Sequence, residues 1–239
     1  MFTIIAGAGI SVSCGIPDFR SSKGLFKKKG LRQLFDAQHS FSSQKDFSDF
    51  LIAMAQLYDD FVSRKPSTFH KKCAQSEKVL RLYSQNIDFL EERAGIHPEK
   101  VVYLHGKLDT VRCTRCFHKF EMRLYVKEYR DGLTADCAMC KTRKRRRKLG
   151  YIRPDILLYN ELDRFALDSS MRLSKDRKRT RVLVVIGTSC SIPGVRQIIR
   201  DFAKTRAVWY VNIERPPKSV EKLVEWKEMT ADAFAEKYL

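Results

Sequence analysis

Two close pairs of cysteines form the clearest metal-binding pattern in this sequence. Cys113 and Cys116 make one C-x-x-C pair, and Cys137 and Cys140 make the other. Two such pairs at this distance are typical of a zinc ribbon, in which four thiolates complete a tetrahedron and leave no open position. A redox role is the alternative, but the motif occurs twice and lacks a thioredoxin-like context. We therefore expect one structural Zn²⁺ ion.

Polar side chains follow two predicted strands. One apolar run leads into Gln85, Asn86 and Asp88, and the next leads into His105. Ligands of parallel α/β sheets bind at the carboxyl ends of the strands, so these side chains indicate a binding site. Asn86 or Asp88 could instead cap a helix, and a lone histidine is more often structural than catalytic. A catalytic His105 would suit general-base chemistry, because the ordinary pKa of histidine is about 6.5.

A glycine turn close to the first residue could hold a phosphate group. The apolar run 2–6 predicts a buried strand, and Gly7-Ala8-Gly9 follows it directly. Glycine permits a tight turn and close approach of a ligand to the backbone. Residues 11–14 are expected to begin a helix whose free N–H groups would favour a pyrophosphate. The spacing to Gly15 is not the usual G-x-G-x-x-G, so a purely structural turn is an alternative.

The glycine turn lies within a longer stretch that resembles one known family. The run from Gly7 to Ser21, GAGISVSCGIPDFRS, is similar at every diagnostic position to the sirtuin signature GAGxSxxxGIPDFRS. Further similarity is carried by SQNID at 84–88, LHG at 104–106, GTS at 187–189 and N-x-E at 212–214. Sirtuins are NAD-dependent protein deacylases, and the resemblance covers almost the whole chain. The basic composition and the segment RPDILLY look most like the fungal nuclear histone-deacetylating branch.

The resemblance implies roles for residues at these positions. His105 is expected to be the general base, Asp88 to hold the nicotinamide carboxamide, and Asn86 to orient the ribose or a bound water. Phe19 is expected to shield the site from water, and Arg20 to lie near the phosphates. No residue is assigned to the adenine, because the family's G-D-C-D motif is absent. The full set expected to contact NAD is Gly7, Ala8, Gly9, Ser11, Ile16, Asp18, Phe19, Arg20, Gln85, Asn86, Asp88, Gly187, Thr188, Ser189, Asn212 and Glu214.

The substrate peptide is expected to bind along four residues: Ile156, Leu157, Leu158 and Tyr159. Their segment, IRPDILLYNE, resembles the family's K/R-P-D-I/V-V-F-F-G-E, where an extended peptide adds as a β-strand. Leu157 and Leu158 stand where the family has the Val and Phe that line the acyl-lysine tunnel, and Asn160 replaces the usual Gly. These differences put the acyl preference in question and leave the chemistry unchanged.

The elements that must position these residues alternate along the chain. Apolar runs predict strands at 2–6, 79–83, 101–104, 181–186 and 208–211. An amphipathic pattern predicts a helix at 41–62. Further helices are expected at 67–76, 162–173 and 193–203, with a last strand and helix within 226–239. This order, with ligand residues at strand ends, indicates an α/β protein with a Rossmann-like parallel sheet.

The resemblance also predicts how the chain divides into domains. A Rossmann-like NAD-binding domain is expected from residues 1–24, 79–107 and 151–239. A small domain would combine a helical module at 25–78 with a zinc-ribbon module at 108–150, which includes the basic tract.

The 239-residue chain is strongly basic, with 46 Lys and Arg against 28 Asp and Glu and a formal net charge of +18. Such an excess favours a polyanionic partner, which could be nucleic acid, chromatin or an acidic membrane surface, although a purely solubilising role is the alternative. The run from Lys141 to Lys148, KTRKRRRK, has seven basic residues in eight. It predicts a DNA or nucleosome contact, a nuclear-import signal or a solvated linker.

Other features restrict the location of the protein. No apolar run reaches the length of about 18 residues that suggests a membrane span. Met1 leads directly into a predicted strand, so we expect no signal peptide or transit segment. The seven cysteines are odd in number and include two close pairs, which favours free thiols and metal in a reducing compartment. Together with the basic tract, this predicts a nuclear protein.

The resemblance predicts an NAD-dependent protein lysine deacetylase with a histone tail as substrate, giving nicotinamide, O-acetyl-ADP-ribose and free lysine. One alternative is an ADP-ribosyltransferase, or a deacylase for another acyl group, with the same NAD site. A second alternative is a chromatin-binding module with a vestigial site. The intact His105, Asn86, Asp88 and Arg20 argue against the second alternative.

Overall fold

The computed structural model describes residues 1–18, 24–27, 30–141 and 149–239. Phe19 and Arg20 of the expected NAD site and residues 142–148 of the basic tract therefore lie outside the described residues.

A parallel sheet of six strands, in the order β3-β2-β1-β7-β8-β9, lies at the centre of the described chain. A second, antiparallel sheet has three strands in the order β5-β4-β6. The strands are β1 (Phe2–Ala6), β2 (Val79–Ser84), β3 (Val101–Tyr103), β4 (Gly106–Cys113), β5 (Lys119–Glu121), β6 (Ile152–Ile156), β7 (Val182–Ile186), β8 (Ala207–Val211) and β9 (Glu225–Lys227).

Helices connect the strands of the large sheet and form a separate group before β2. They are α1 (Leu31–Leu34), α2 (Ala37–Ser40), α3 (Gln44–Ser63), α4 (Thr68–Gln75), α5 (Leu90–Arg93), α6 (Val126–Arg130), α7 (Ala138–Lys141), α8 (Ala166–Arg179), α9 (Pro193–Ala203) and α10 (Ala231–Tyr238). No described helix is long and apolar enough to cross a membrane.

The parallel sheet is covered on both faces, which explains why β1 and β7 are almost wholly apolar. Successive side chains of a strand point to opposite faces. Accordingly, Ile4 and Val184 pack with α4 and α10 on one face. Ile5 and Val185 pack with α8 and α9 on the other. The predicted Rossmann-like α/β fold is confirmed.

The small sheet and the long helix α3 share a separate hydrophobic core. Phe50 and Met54 of α3 pack in one cluster with Val111 of β4 and with Met122 and Tyr129 from the segment after β5. The small sheet is therefore stabilised against the helices that precede β2. The exact domain boundaries stay a prediction.

Two predicted helices differ from the structure. Residues 8–10 and 12–14 form two short 3-10 turns instead of the start of an α-helix, and Gly15, with φ of 79°, ends the second turn. The helix expected at 162–173 begins only at Ala166 and continues to Arg179. The carboxylate of Asp163 accepts a hydrogen bond from the Phe165 N–H at 2.9 Å, which favours a turn at the position where the helix was expected to begin.

Candidate active site

The glycine turn after β1 packs directly against the turn after β7. The Gly9 N–H donates to the Gly187 carbonyl oxygen at 2.8 Å, and the Gly7 N–H donates to the Ile186 carbonyl oxygen at 2.9 Å. A Cβ atom built on Gly7 would lie 2.6 Å from Cβ of Thr188, and one on Gly9 would lie 2.6 Å from Cα of Gly187. This close approach accounts for both glycines structurally. A phosphate contact there stays a prediction, and the α-helix expected to support it is absent from residues 8–14.

The turns after β1 and β2 are joined by a buried network of polar side chains. The Ser11 hydroxyl donates to Oδ2 of Asp88 at 2.7 Å. The Asn86 amide lies 3.3 Å from both the Ser11 hydroxyl and the Gly7 carbonyl oxygen, and can donate to each. The Leu90 N–H donates to Oδ1 of Asp88 at 3.2 Å. Ser11, Asn86 and Asp88, which the sequence predicts at one site, are therefore in contact.

His105 lies at the junction between the two sheets, between β3 and β4. Its Nδ1 atom is 2.8 Å from the Gln85 carbonyl oxygen. A carbonyl oxygen can only accept, so Nδ1 carries the proton of the neutral imidazole and Nε2 presents a lone pair. Burial lowers the pKa of His105, while the Gln85 hydrogen bond and the charge of Asp163 act in the opposite direction. A neutral imidazole with a free Nε2 lone pair is the form that a general base requires.

The turn after β7 is connected to β2 and β8. The Thr188 hydroxyl lies 3.4 Å from the Gln85 side-chain oxygen. The Tyr210 hydroxyl donates to the Thr188 carbonyl oxygen at 2.8 Å, and the Asn212 amide donates to the Tyr210 hydroxyl at 3.1 Å. Ser189 and Glu214 are exposed at the rim of this edge. Residues from four strand ends thus meet along one edge, as predicted for a Rossmann-like sheet.

A narrow cleft of about 10 Å³, room for about one water molecule, opens beside Asp88. It is lined by Ala8, Ile16, Pro17, Leu25, Phe61, Asn86, Ile87 and Asp88. Ile16 and Pro17 supply apolar walls, and Asn86 and Asp88 supply polar groups. Apolar walls beside hydrogen-bonding groups suit the chemistry of a flat aromatic amide such as the nicotinamide of NAD, and the cleft would have to widen to admit it. Asp18 follows the cleft, and its carbonyl oxygen accepts the Leu25 N–H at 2.7 Å.

The predicted peptide-binding segment is already tied to its surroundings. The Leu157 N–H donates to the His105 carbonyl oxygen at 2.8 Å. The Tyr159 N–H donates to the Phe35 carbonyl oxygen at 2.8 Å, and the Tyr159 carbonyl oxygen accepts the Ala37 N–H at 2.9 Å. Asn160 adopts a left-handed conformation with φ of 61°. A peptide strand would therefore have to use other backbone groups than those of Tyr159, and the four predicted contacts stay a prediction.

The four cysteines of the predicted metal site come together. All four sulfur atoms lie within 4.8 Å of one another. The Cys113–Cys140 and Cys116–Cys137 sulfur distances are 3.7 and 3.6 Å. A tetrahedral zinc site with bonds of about 2.3 Å requires sulfur separations of about 3.8 Å, whereas a disulfide requires about 2.0 Å. The residues therefore fit a closed, structural Zn²⁺ ion.

Two buried groups close to Asp88 are not marked by any sequence motif. His70 is fully buried, and its Nδ1 atom accepts a hydrogen bond from the Ser67 N–H at 3.3 Å. Glu91 is also fully buried. Ligand atoms of His70, Asp88 and Glu91 lie within 4.8 Å of one another. The sequence signal for Glu91 is weak, because a glutamate in the first turn of a helix is ordinary.

A wider cavity of about 570 Å³ lies on the other side of the His105–Gly106 junction. Its lysines are paired with acids: Lys107 lies 2.7 Å from Glu92, and Lys119 lies 2.9 Å from Asp155. The other lining residues are Tyr103, Gly106, Thr110, Phe120, Glu121, Leu124 and Phe165. None of the predicted site residues lines this cavity.

The arrangement of these side chains is accompanied by a sequence match to a known protein family. The sequence model of the Sir2 family matches residues 7–193. The chain belongs to the Sir2 family. The predicted resemblance to sirtuins is therefore confirmed, and the match includes the glycine turn, Asp88, His105 and the four cysteines.

Fungal proteins are among the Sir2 relatives of this chain. It is 35% identical to the NAD-dependent protein deacetylase hst4 of Schizosaccharomyces pombe, over 93% of this chain and 61% of that protein. It is 32% identical to the NAD-dependent histone deacetylase HST4 of Saccharomyces cerevisiae, over 91% of this chain and 68% of that protein. The chain thus spans less than two thirds of the length of the first relative.

Solved Sir2 structures have the same fold. A sirtuin studied for its substrate affinity superimposes with a TM-score of 0.78 at 26% identity, over 99% of this chain and 92% of that one. A Sir2 variant in complex with a deacetylated p53 peptide and 3′-O-acetyl ADP ribose gives a TM-score of 0.78 at 25% identity, over 99% and 91% of the two chains.

Proposed function

We propose that this Sir2 protein removes acetyl groups from protein lysine side chains in an NAD-dependent reaction, giving nicotinamide, O-acetyl-ADP-ribose and free lysine. The observation that carries the proposal is the meeting of Ser11, Asn86, Asp88 and His105 at one edge of the parallel sheet. The names of the fungal relatives and the peptide complex of the solved Sir2 variant support the same reaction.

Asp88 would orient the nicotinamide. Its carboxylate is fixed by the Ser11 hydroxyl and the Leu90 N–H, and it borders the narrow cleft. A carboxylate accepts hydrogen bonds, so it suits the N–H groups of a carboxamide. Asn86, which bonds to the Ser11 hydroxyl, would complete the polar side of the pocket. When bound, NAD supplies nicotinamide as the leaving group and the ribose that accepts the acetyl group.

His105 would act as the general base towards a ribose hydroxyl. The Gln85 carbonyl oxygen fixes the tautomer, so that Nε2 can accept a proton. The lowered pKa keeps the imidazole neutral near pH 7. Removal of a hydroxyl proton by a positioned base is worth a factor of about 10²–10⁴ in rate.

The remaining predicted contacts complete the proposed site. Phe19 and Arg20 would shield the reaction and hold phosphates, and both lie outside the described residues. Thr188, Asn212 and the exposed Ser189 and Glu214 would contact the adenosine half of NAD from β7 and β8. The acetylated peptide would bind along residues 156–159, next to the His105 carbonyl oxygen. A zinc ion on the four cysteines would hold the small sheet that carries this segment.

We propose histone tails as the substrate class and the nucleus as the place of action. The fungal histone deacetylase relatives and the net charge of +18 support both points. The tract from Lys141 to Lys148 would contact nucleosomal DNA. Each neutralised phosphate lowers the log–log salt slope of binding by about 0.9, so changing four basic residues of the tract to Ser should flatten that slope by about two to four units.

The proposed reaction is tested with purified protein, NAD and acetyl-lysine histone peptides. We expect nicotinamide release only with the acetylated peptide, and O-acetyl-ADP-ribose as the second product by mass spectrometry. Succinyl- and long-acyl peptides measure the acyl preference, and the unmodified peptide is the control. ADP-ribose attached to protein would indicate a transferase instead. Absence of nicotinamide release with every peptide would show that the site is vestigial.

A further inference from the structure

Glu91 is a buried acid without a hydrogen-bond partner among the described residues. It lies in the first turn of α5 and is fully buried. Neither carboxylate oxygen has a hydrogen bond of good geometry within the described part of the chain, although the Ser84 hydroxyl lies nearby. One carboxylate oxygen lies within 4.8 Å of ligand atoms of Asp88 and His70. A charged carboxylate in such surroundings costs free energy. It is therefore important which of the three side chains carries a proton near pH 7.

His70 is neutral and its tautomer is fixed. The Ser67 N–H donates to Nδ1, which must therefore carry the lone pair, and the proton lies on Nε2. The Nε2 atom is buried and has no partner among the described residues. Burial lowers the pKa of His70 to about 4, so the ring carries no positive charge near pH 7. His70 thus offers one N–H group to the two acids and no charge to balance them.

The negative charge of the group belongs on Asp88. Both Asp88 oxygens already accept hydrogen bonds, from the Ser11 hydroxyl and the Leu90 N–H. Hydrogen bonds to the charged form favour it. Glu91 has no hydrogen bond of good geometry among the described residues, and the nearby Ser84 hydroxyl and the backbone N–H of Glu91 lower its pKa less than burial and the charge of Asp88 raise it. Burial, followed by the charge of Asp88, raises the pKa of Glu91 to about 8. A proton shared between the two acids is therefore held by Glu91.

Among the described residues, no cation belongs to the groups that shift the pKa of Glu91. His70 and Cys73 face it from α4, and Tyr103 faces it from β3. Burial raises the pKa values of the Cys73 thiol and the Tyr103 hydroxyl, so both are neutral. The remaining neighbours are acids: Asp88 and Glu92 near Glu91, and Asp232 towards His70. Glu92 is itself paired with Lys107 at 2.7 Å.

We propose that Glu91 is a positioning residue that keeps a proton at neutral pH, so that Asp88 remains the single, fixed carboxylate at the nicotinamide cleft. This role rests on the proposed deacetylase function, whereas the proton assignment does not depend on it. Above about pH 8 a second buried carboxylate forms next to Asp88. The two like charges repel, Asp88 loses its fixed position, and the KM for NAD rises.

The experiment compares the parent protein with Glu91→Gln and with the matched control Glu92→Gln. Glutamine has the shape of a protonated glutamate and cannot ionise. Far-UV circular dichroism confirms that each variant is folded. We expect the infrared C=O stretch of a protonated carboxylic acid at pH 7 in the parent protein and in Glu92→Gln, and its loss in Glu91→Gln. An unchanged band in Glu91→Gln would overturn the proton assignment.

Stability against pH gives a second readout that needs no activity. The folded parent binds a proton on Glu91 that the unfolded chain releases above its ordinary pKa of about 4.3. Its unfolding equilibrium constant should therefore rise about tenfold per pH unit between pH 5 and 8 relative to Glu91→Gln. A constant ratio over this range would contradict the proposal.

The KM for NAD separates the positioning role from a structural one. It should rise above about pH 8 in the parent protein and in Glu92→Gln and stay constant in Glu91→Gln, with little change in kcat. The same alkaline rise in all three proteins would overturn the positioning role. If all three proteins are inactive while the infrared and stability results hold, the proposed deacetylase function fails and the proton assignment stands.

Discussion

The two sheets of this molecule are stabilised by different interactions. The interior strands β1 and β7 of the parallel sheet are apolar and buried on both faces. The small sheet instead buries charges: Arg112, Arg153 and Asp155 are 7%, 3% and 2% exposed. They are paired with each other and with neighbouring residues, as in the 2.9 Å contact from Arg153 to Glu161. Buried ion pairs contribute little net stability, so beyond the hydrophobic core that it shares with α3 the small sheet depends on its cysteine site.

This difference matters for the proposed reaction because the reacting groups come from both sheets. The parallel sheet fixes Asp88 and Asn86 at its edge. The small sheet brings Leu157 to His105 through a backbone hydrogen bond, and Gly106 pairs with Ile156 at the start of β4. The NAD side is thus built on the rigid core, and the peptide side on the less apolar sheet. Four variants test this contrast, from the largest expected effect to the smallest.

Removal of zinc should affect the small sheet most strongly. Cys140→Ser should lower the zinc content from one ion per chain to nearly none, because three thiolates cannot complete the closed site. Structural zinc sites contribute about 10 kcal/mol or more of binding free energy to folding. Hydrogen exchange should show lost protection in β4 to β6, and retained protection in β1 and β7.

The matched control is Cys73→Ala, which removes a buried thiol from the core of the parallel sheet. It should keep the zinc and cost about 1–2 kcal/mol of stability. A metal-free protein with normal protection in both sheets would show that the cysteines do not stabilise the small sheet.

His105→Ala should lower the deacetylation rate by a factor of about 10²–10⁴, the usual contribution of a general base. Within the described residues its side chain is held by one hydrogen bond, to the Gln85 carbonyl oxygen, so Tm should change little. His118→Ala is the matched control, because that histidine is exposed in the turn between β4 and β5. If His105→Ala is as active as the parent protein, His105 is not the general base.

Some of this site is predictable from the sequence, because continuous apolar runs define the strands and polar residues mark their ends. Asp88 and His105 are found in this way. His70 is not, because its proximity to Asp88 arises only when α4 packs beside α5. The helix expected at residues 11–14 is wrong because Gly15 closes a 3-10 turn there, which depends on local hydrogen bonds rather than on hydrophobic spacing.

The pH dependence of the reaction should have an acid limb set by His105. Only the neutral imidazole can accept a proton, so kcat/KM should fall about tenfold per pH unit below the His105 pKa. Burial lowers that pKa, so the midpoint should lie below the ordinary value of about 6.5. Asp163→Asn should move the midpoint lower still, because the charge of Asp163 raises the pKa. A midpoint above 6.5 in the parent protein would contradict this assignment.

The smallest expected effect is on the peptide side, at Asn160. The Asn160 amide donates to Oδ2 of Asp36 at 2.9 Å, and Oδ1 of Asp36 accepts the Gln38 N–H at the start of α2. Asn160 thus ties the predicted peptide-binding segment to the helices that precede β2. Asn160→Gly keeps the left-handed backbone without strain and removes this hydrogen bond, which is worth about 0.5–1.5 kcal/mol.

We expect Asn160→Gly to raise the KM for the acetylated peptide about two- to tenfold and to leave the KM for NAD unchanged. Asn160→Ala is the matched variant: it also lacks the hydrogen bond, and alanine at φ of 61° adds a backbone cost of about 1–2 kcal/mol. The two variants should therefore share the rise in peptide KM, while Asn160→Ala should lose about 1–2 kcal/mol more stability than Asn160→Gly. Equal changes in the KM values for peptide and NAD would show that residue 160 acts on the whole site, and that the two sides are less independent than their different sheets imply.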